Sequence, residues 1–127
     1  MGLIISELLE GSENNNEPSK VIVCHSVAQW KDQFNSSIVS KKLMVIDFSA
    51  AWCGPCRYME PILKKYAAKF NDVKFVTIDV DELTEVAQQF EVTAMPTFVL
   101  IKDGKEVDKL VGADKKELKK KIKEHDV

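Results

Sequence analysis

Cys53 and Cys56 stand two residues apart in Trp52-Cys53-Gly54-Pro55-Cys56, shortly after the apolar run Leu43-Met44-Val45-Ile46-Asp47-Phe48. Two thiols at this spacing close a disulfide only where the chain bends at once. Gly54 permits the bend and Pro55 stiffens it. The residues after Cys56 read as a helix, which puts both sulfurs at a strand-to-helix junction. A helix N-terminus carries unpaired N–H groups and partial positive charge, and both favour a thiolate over a thiol. Cys53, which comes first and lies beside Trp52, is the expected nucleophile. Cys56, one turn inward, is the expected resolving thiol, held protonated by burial until it is needed. The chemistry this predicts is thiol–disulfide exchange. Cys53 attacks a substrate disulfide, and Cys56 then attacks Cys53, releasing the reduced substrate and leaving the Cys53–Cys56 ring.

For Cys56 to act, its proton must go somewhere. Asp47 is a carboxylate inside an apolar run, six residues ahead of Cys53. Burial there would raise its affinity for a proton, which makes it the expected acid/base beneath the dithiol. The alternative is a solvent-facing aspartate at a strand end. A Cys-x-x-Cys pair is also half of a zinc site, but a structural zinc takes four ligands. Only Cys24, His25 and His125 remain to complete one. Cys24 and His25 are adjacent, a poor spacing for a tetrahedron, and His125 lies near the chain end. Iron–sulfur ligation fails on the same count, so no metal is expected.

The elements that must position these groups follow from periodicity. Val21-Ile22-Val23 suits a short strand. Ser26 caps a helix with Val27, Trp30, Phe34 and Ile38 inward. Leu43 to Phe48 suits a central strand covered on both faces. Met59, Ile62, Leu63, Tyr66 and Phe70 keep helical spacing, with Pro61 expected to kink the helix. Val73 to Ile78 reads as a buried strand, and Leu83, Val86, Ala87 and Phe90 as a short helix. Thr97 to Ile101 is a strand, Asp103-Gly104 a two-residue hairpin turn, and Val107 to Val111 the returning strand. Asp114 caps a last helix with Leu118 and Ile122 inward. The order βαβαβαββα predicts an α/β fold: a mixed central sheet with helices on both faces.

Of 127 residues, 45% are hydrophobic and 30% charged, ordinary for one globular domain. The net charge of −2 gives no sign of nucleic-acid binding. No apolar run approaches the roughly 20 residues that span a bilayer. Three cysteines leave at least one thiol unpaired, which fits a reducing, cytoplasmic compartment. Residues 1–19 read as a flexible acidic extension and residues 20–127 as the domain. The extension lacks the features of a transit or ordinary secretory peptide. Met1-Gly2-Leu3-Ile4-Ile5-Ser6 does fit the template for myristoylation of Gly2. One acyl chain gives weak, reversible membrane binding, and Glu7, Glu10, Glu13 and Glu17 would be repelled by anionic lipid. Membrane association is expected only if Gly2 is acylated, and export stays open. The lysines of the last helix, interrupted by Glu117 and Glu124, read as a solvated face.

With Val45-Ile46-Asp47-Phe48-Ser49-Ala50-Ala51 ahead of the cysteines, then Pro61, Met95-Pro96-Thr97 and Gly112 in order, the chain resembles the thioredoxins over about residues 20–127. Val23-Cys24-His25-Ser26, Asp79-Val80-Asp81-Glu82-Leu83 and Val111-Gly112-Ala113-Asp114-Lys115 are most similar to the h-type thioredoxins of plants. The resemblance implies Cys53 as attacking thiol, Cys56 as resolving thiol and Asp47 as buried acid/base. It implies a cis peptide before Pro96, facing the dithiol, and a substrate-contacting rim of Trp52, Gly54, Pro55, Met95, Pro96, Thr97, Gly112 and Ala113. It further implies a mainly monomeric chain that reduces disulfide-containing target proteins without a bound cofactor. The reductant would be an NADPH-dependent thioredoxin reductase or a glutathione/glutaredoxin route. The chain departs from the family at Thr77, where many relatives carry a charged residue near the buried aspartate, and at Arg57 and Tyr58. A disulfide isomerase of the same fold and a chaperone or binding module that acts without redox turnover are the alternatives. Gly54-Pro55 between the cysteines argues against the former.

Overall fold

The computed structural model describes residues 18–127. Gly2 and all but the last two residues of the expected extension lie outside the described residues. Five strands run in the spatial order β1-β3-β2-β4-β5: β1 (Ile22–Cys24), β2 (Met44–Ser49), β3 (Lys74–Asp79), β4 (Thr97–Lys102) and β5 (Lys105–Val111). The first three are parallel; β4 is antiparallel to β2, and β5 to β4. Four helices complete the βαβαβαββα order: α1 (Val27–Ser40), α2 (Gly54–Lys69), α3 (Thr84–Gln89) and α4 (Lys115–His125).

The sheet has two buried faces because β2 is apolar at nearly every position. Successive strand side chains point to opposite faces, and the core divides accordingly. Met44, Ile46, Phe48, Val76, Ile78, Val99 and Ile101 pack with Trp30, Val86 and Phe90, on the side of α1 and α3. Leu43, Val45, Phe75, Phe98 and Leu100 pack with Met59, Leu63, Tyr66, Leu118 and Ile122, on the side of α2 and α4. Alternation puts Asp47 and Thr77 on this second face, beside each other in the β2–β3 register. Free Cys24 is fully buried on the first face, packed with Trp30, and so stands apart from the dithiol.

Local signals end the elements where they are expected. The Ser26 hydroxyl accepts from the Gln29 N–H at 3.1 Å, and the Asp114 carboxylate accepts from that of Glu117 at 3.1 Å. The β4–β5 turn is Asp103-Gly104, with φ of 53° and 77°, the left-handed pair of a type I′ turn. The returning strand begins at Lys105 rather than Val107. The ladder passes from Leu100–Asp108 to Ile101–Glu106, so Val107 is the extra residue of a bulge.

Candidate active site

The chain leaves β2 at Ser49 and turns sharply, the Cys53 N–H donating to the Ala50 carbonyl at 3.2 Å. Cys53 is the N-cap residue of α2, with Pro55 in the first turn, where its missing N–H costs nothing. The two cysteines are joined as a disulfide, their Cα atoms 5.3 Å apart, within the span a disulfide bridges. The Cys56 N–H donates to Cys53 Sγ at 3.1 Å. Once the bond is reduced, that donor and the positive end of α2 face the sulfur and favour its anionic form. Cys56 is one turn deeper, at 1% exposure against 4% for Cys53.

The walls come from distant segments. The Met95–Pro96 peptide is cis, and the Met95 carbonyl oxygen lies 3.6 Å from Cys53 Sγ. The Gly112 N–H donates to the Pro96 carbonyl at 2.8 Å, which joins the Gly112-Ala113 turn to this loop. Trp52 is 66% exposed as a ridge beside the sulfurs, its indole N–H held by the Asp81 carboxylate at 3.0 Å. Gly54, Pro55 and Ala113 are exposed, and Met95 and Gly112 half-buried. Pro96 and Thr97 are buried, which sets their side chains beneath the rim. The Thr97 hydroxyl is spent on the Ala94 carbonyl at 2.6 Å, bracing the loop from inside.

Asp47 lies on the α2 face of the sheet, 2% exposed, and its Oδ1 has no hydrogen-bond partner among the described residues. Burial pushes its carboxyl up to about 7, and the Glu60 charge adds to the effect. The carboxyl is therefore poised to exchange a proton near neutrality. Its register neighbours are Thr77 and Phe98, neither of which brings a charge.

Sequence reasoning missed three contacts. Val80 packs against Ala50, Cys53 and Cys56. Asp81 holds Trp52. The Arg57 guanidinium donates to the Ala51 carbonyl at 2.6 Å and ties the pre-cysteine loop to α2. The first two join segments about thirty residues apart by tertiary placement, and the third closes a local loop that no residue pattern announces.

The thioredoxin family model matches residues 24–124. Thioredoxin H2 of Arabidopsis thaliana is 57% identical over 107 residues, covering 84% of this chain and 80% of that protein. Thioredoxin H-type 1 of Nicotiana tabacum is 50% identical over 111 residues, covering 87% of this chain and 88% of that one. The crystal structure of thioredoxin NaTrxh from Nicotiana alata superposes with a TM-score of 0.84 at 57% identity, over 88% of this chain and 97% of that one.

Proposed function

The chain belongs to the thioredoxin family, is similar to h-type members of plants, and is a protein-disulfide oxidoreductase; from that premise we propose that Cys53 is its nucleophile, Cys56 its resolving thiol and Asp47 the acid/base that serves them. The observation that carries the assignment is the 3.1 Å hydrogen bond from the Cys56 N–H to Cys53 Sγ at the start of α2. It supports reading Cys53 as the sulfur whose negative charge is stabilised and Cys56 as the one held behind it.

The reducing half of the cycle balances with the target disulfide and water alone, and a separate reductant must then restore the dithiol. The Cys53 thiolate attacks one sulfur of a target disulfide. That bond breaks, a mixed disulfide forms, and the departing thiolate takes a proton from water. Cys56 gives its proton to Asp47 and attacks Cys53 Sγ, which closes the Cys53–Cys56 bond and expels the second target sulfur as a thiolate that takes its proton from Asp47 or water. Two electrons pass to the target. The exposed Trp52 and Pro55 and the Met95–Pro96 loop flank the sulfurs, and an extended target segment laid along that loop brings its disulfide to Cys53.

Targets that contain disulfides and a partner that restores the dithiol follow from membership of the family. We assign the second role to an NADPH-dependent thioredoxin reductase or to glutathione and glutaredoxin, and the setting to the cytoplasm, with the chain acting mainly as a monomer. Among the described residues no helix is long and apolar enough to cross a membrane. Contact with a membrane would then depend on acylation of Gly2, and an unmodified Gly2 mass on protein from its native host would rule it out.

Trapping tests the order of attack. The Cys56→Ser chain should accumulate mixed disulfides through Cys53, and mass spectrometry of the adducts names the targets. Absence of any adduct while the unaltered chain remains active would reverse the roles of the two sulfurs.

A further inference from the structure

Beside the dithiol lies a cleft of about 550 Å³ that the exchange chemistry leaves unused. Its floor is the sheet face that carries Asp47: Val23, Thr77 and Asp79 with Ser49, near the C-terminal ends of β1, β3 and β2. Ligands of sheets with parallel strands characteristically sit outside those ends. Arg57 and Glu60 of α2 form one wall. The far side is closed by His25, Asp81 and Glu82, with His25 Nδ1 3.0 Å from Glu82 Oε1.

The lining is acidic, and the pairings leave part of the charge open. Arg57 donates to the Ala51 carbonyl and keeps its positive charge, which the four carboxylates of the lining outnumber; Asp81 holds Trp52, and Asp79 Oδ1 accepts from the Asp81 N–H at 2.8 Å, leaving its other oxygen open among the described residues. Glu60 makes no side-chain hydrogen bond or ion pair among the described residues. A second observation points the same way from below. The Oδ1 of Asp47, deeply buried, has no partner. Asp47 neighbours Thr77 in register and precedes Ser49 by two positions on the same face, so its carboxyl underlies the wall that these residues present to the cleft. A buried, unpartnered carboxylate below an acidic opening is relieved by a cation placed above it.

We propose that this cleft receives the lysine or arginine side chain of a disulfide-bearing target protein while the target's disulfide lies at Cys53. The inference rests on the reading of Cys53 as nucleophile. The apolar stem of the incoming side chain packs on Val23 and the Thr77 methyl, and its head meets Glu60 and Asp79. Trp52 precedes Cys53 and is held by Asp81 of the cleft lining, which links the two places, so one target segment can reach both.

The test uses the full reduced chain and pairs of disulfide-bonded peptides that differ only by Lys or Gln, scanned through positions flanking the cysteine. At one or more positions the Lys peptide should be preferred about two- to fivefold in kcat/KM at low ionic strength. The preference should shrink as added salt shortens the range of the charges. It should fall in Glu60→Gln, which removes an anion, or in Thr77→Lys, which places a cation in the cleft, and loss in either variant supports the proposal. Each variant is judged by its own Lys-to-Gln ratio, so a change in the exchange step common to both peptides cancels. Equal rates at every position at low salt would overturn the proposal, as would a preference undiminished in both variants. Reduction of neither peptide would overturn the reading of Cys53 as well.

Discussion

The backbone N–H of Cys56 donates to Cys53 Sγ across 3.1 Å, so the second cysteine supports the first through its main chain while its own side chain stays behind, 1% exposed. One helix start thus makes two thiols unequal. On the proposed assignment, the α2 N-terminus acts on Cys53 first and burial holds Cys56 in reserve.

That inequality is measurable by alkylation. In the reduced chain at neutral pH, Cys53 should react with iodoacetamide at least about tenfold faster than a free cysteine, because the helix start enriches its thiolate. Cys24 should not react until the chain unfolds. It is fully buried, and burial pushes its thiol up, with a smaller opposing effect of Lys74. Peptide mapping of the alkylated sites checks both. Labelling of Cys24 at a rate comparable with Cys53 would mean that the α1-side core opens readily.

Asp47→Asn should separate stability from activity. The folded chain holds the Asp47 proton up to about pH 7, whereas the ordinary carboxyl value is 3.8. The folded state therefore binds the extra proton, and Asp47 costs stability progressively as pH rises from about 4 to 7, by about 4 kcal/mol in all. The asparagine chain carries no such cost. At pH 8 it should be the more stable of the two in urea, by a few kcal/mol, and the gap should close near pH 4. Reduction of target disulfides near neutrality should slow, because Cys56 loses its proton acceptor. Matching stability curves across this range would remove the buried charge from the account, and an unchanged reduction rate would remove the acid/base role.

Much of this was legible in the residues because its causes are local. The strand-turn-helix around Cys53, the caps at Ser26 and Asp114 and the Asp103-Gly104 turn each follow from a few neighbouring side chains. Asp47 was conspicuous as the one carboxylate in an apolar strand. The clamp from Arg57 to Ala51, the hold of Asp81 on Trp52 and the place of Val80 under the sulfurs were not legible. The last two arise where the segment after β3 meets the start of α2 through the sheet order β1-β3-β2, which no local pattern specifies, and the first depends on how the guanidinium folds back over six residues onto the loop before the cysteines. Thr97 shows the same limit. The resemblance expects it at the rim, and the sequence does not show that its hydroxyl also braces the loop from within.

Gly104→Ala should loosen the far end of the molecule without touching the exchange site. Gly104 has φ of 77°, and a Cβ there would stand 3.2 Å from Ile38 Cδ1 on α1. Backbone strain of about 1–2 kcal/mol is the expected cost, with some added crowding. Urea unfolding should report that loss. Alkylation of Cys53 in the folded, reduced variant should proceed at the unaltered rate, since the β4–β5 turn lies at the opposite end of β4 from Met95–Pro96. A variant as stable as the original would mean that the turn readjusts freely.

Asp108 offers the opposite pH behaviour to Asp47, and Asp108→Asn exposes it. Asp108 of β5 accepts from Lys121 at 2.9 Å and from the Lys109 N–H at 2.9 Å, and its Oδ2 lies 2.9 Å from His125 Nε2, which ties the edge strand to α4. Burial alone would push this carboxyl up, but the hydrogen bonds from Lys121, His125 and Lys109, with the Lys121 charge, together outweigh it and hold it below the ordinary carboxyl range. Because the folded chain binds this proton less tightly than the unfolded one, the ionised carboxylate adds stability above about pH 4, and that stability is lost as pH falls through the lower folded value. Asp108 is partly exposed, so water screens the pair and the gain is about 1 kcal/mol rather than the several a buried pair would suggest. The asparagine chain should therefore be less stable by that amount at neutral pH, and the deficit should shrink on acidification, whereas the Asp47→Asn advantage grows on alkalisation. Urea titrations of both variants from pH 3 to 8 read the two trends side by side, and a deficit in Asp108→Asn that stays constant with pH would assign the loss to packing rather than to charge.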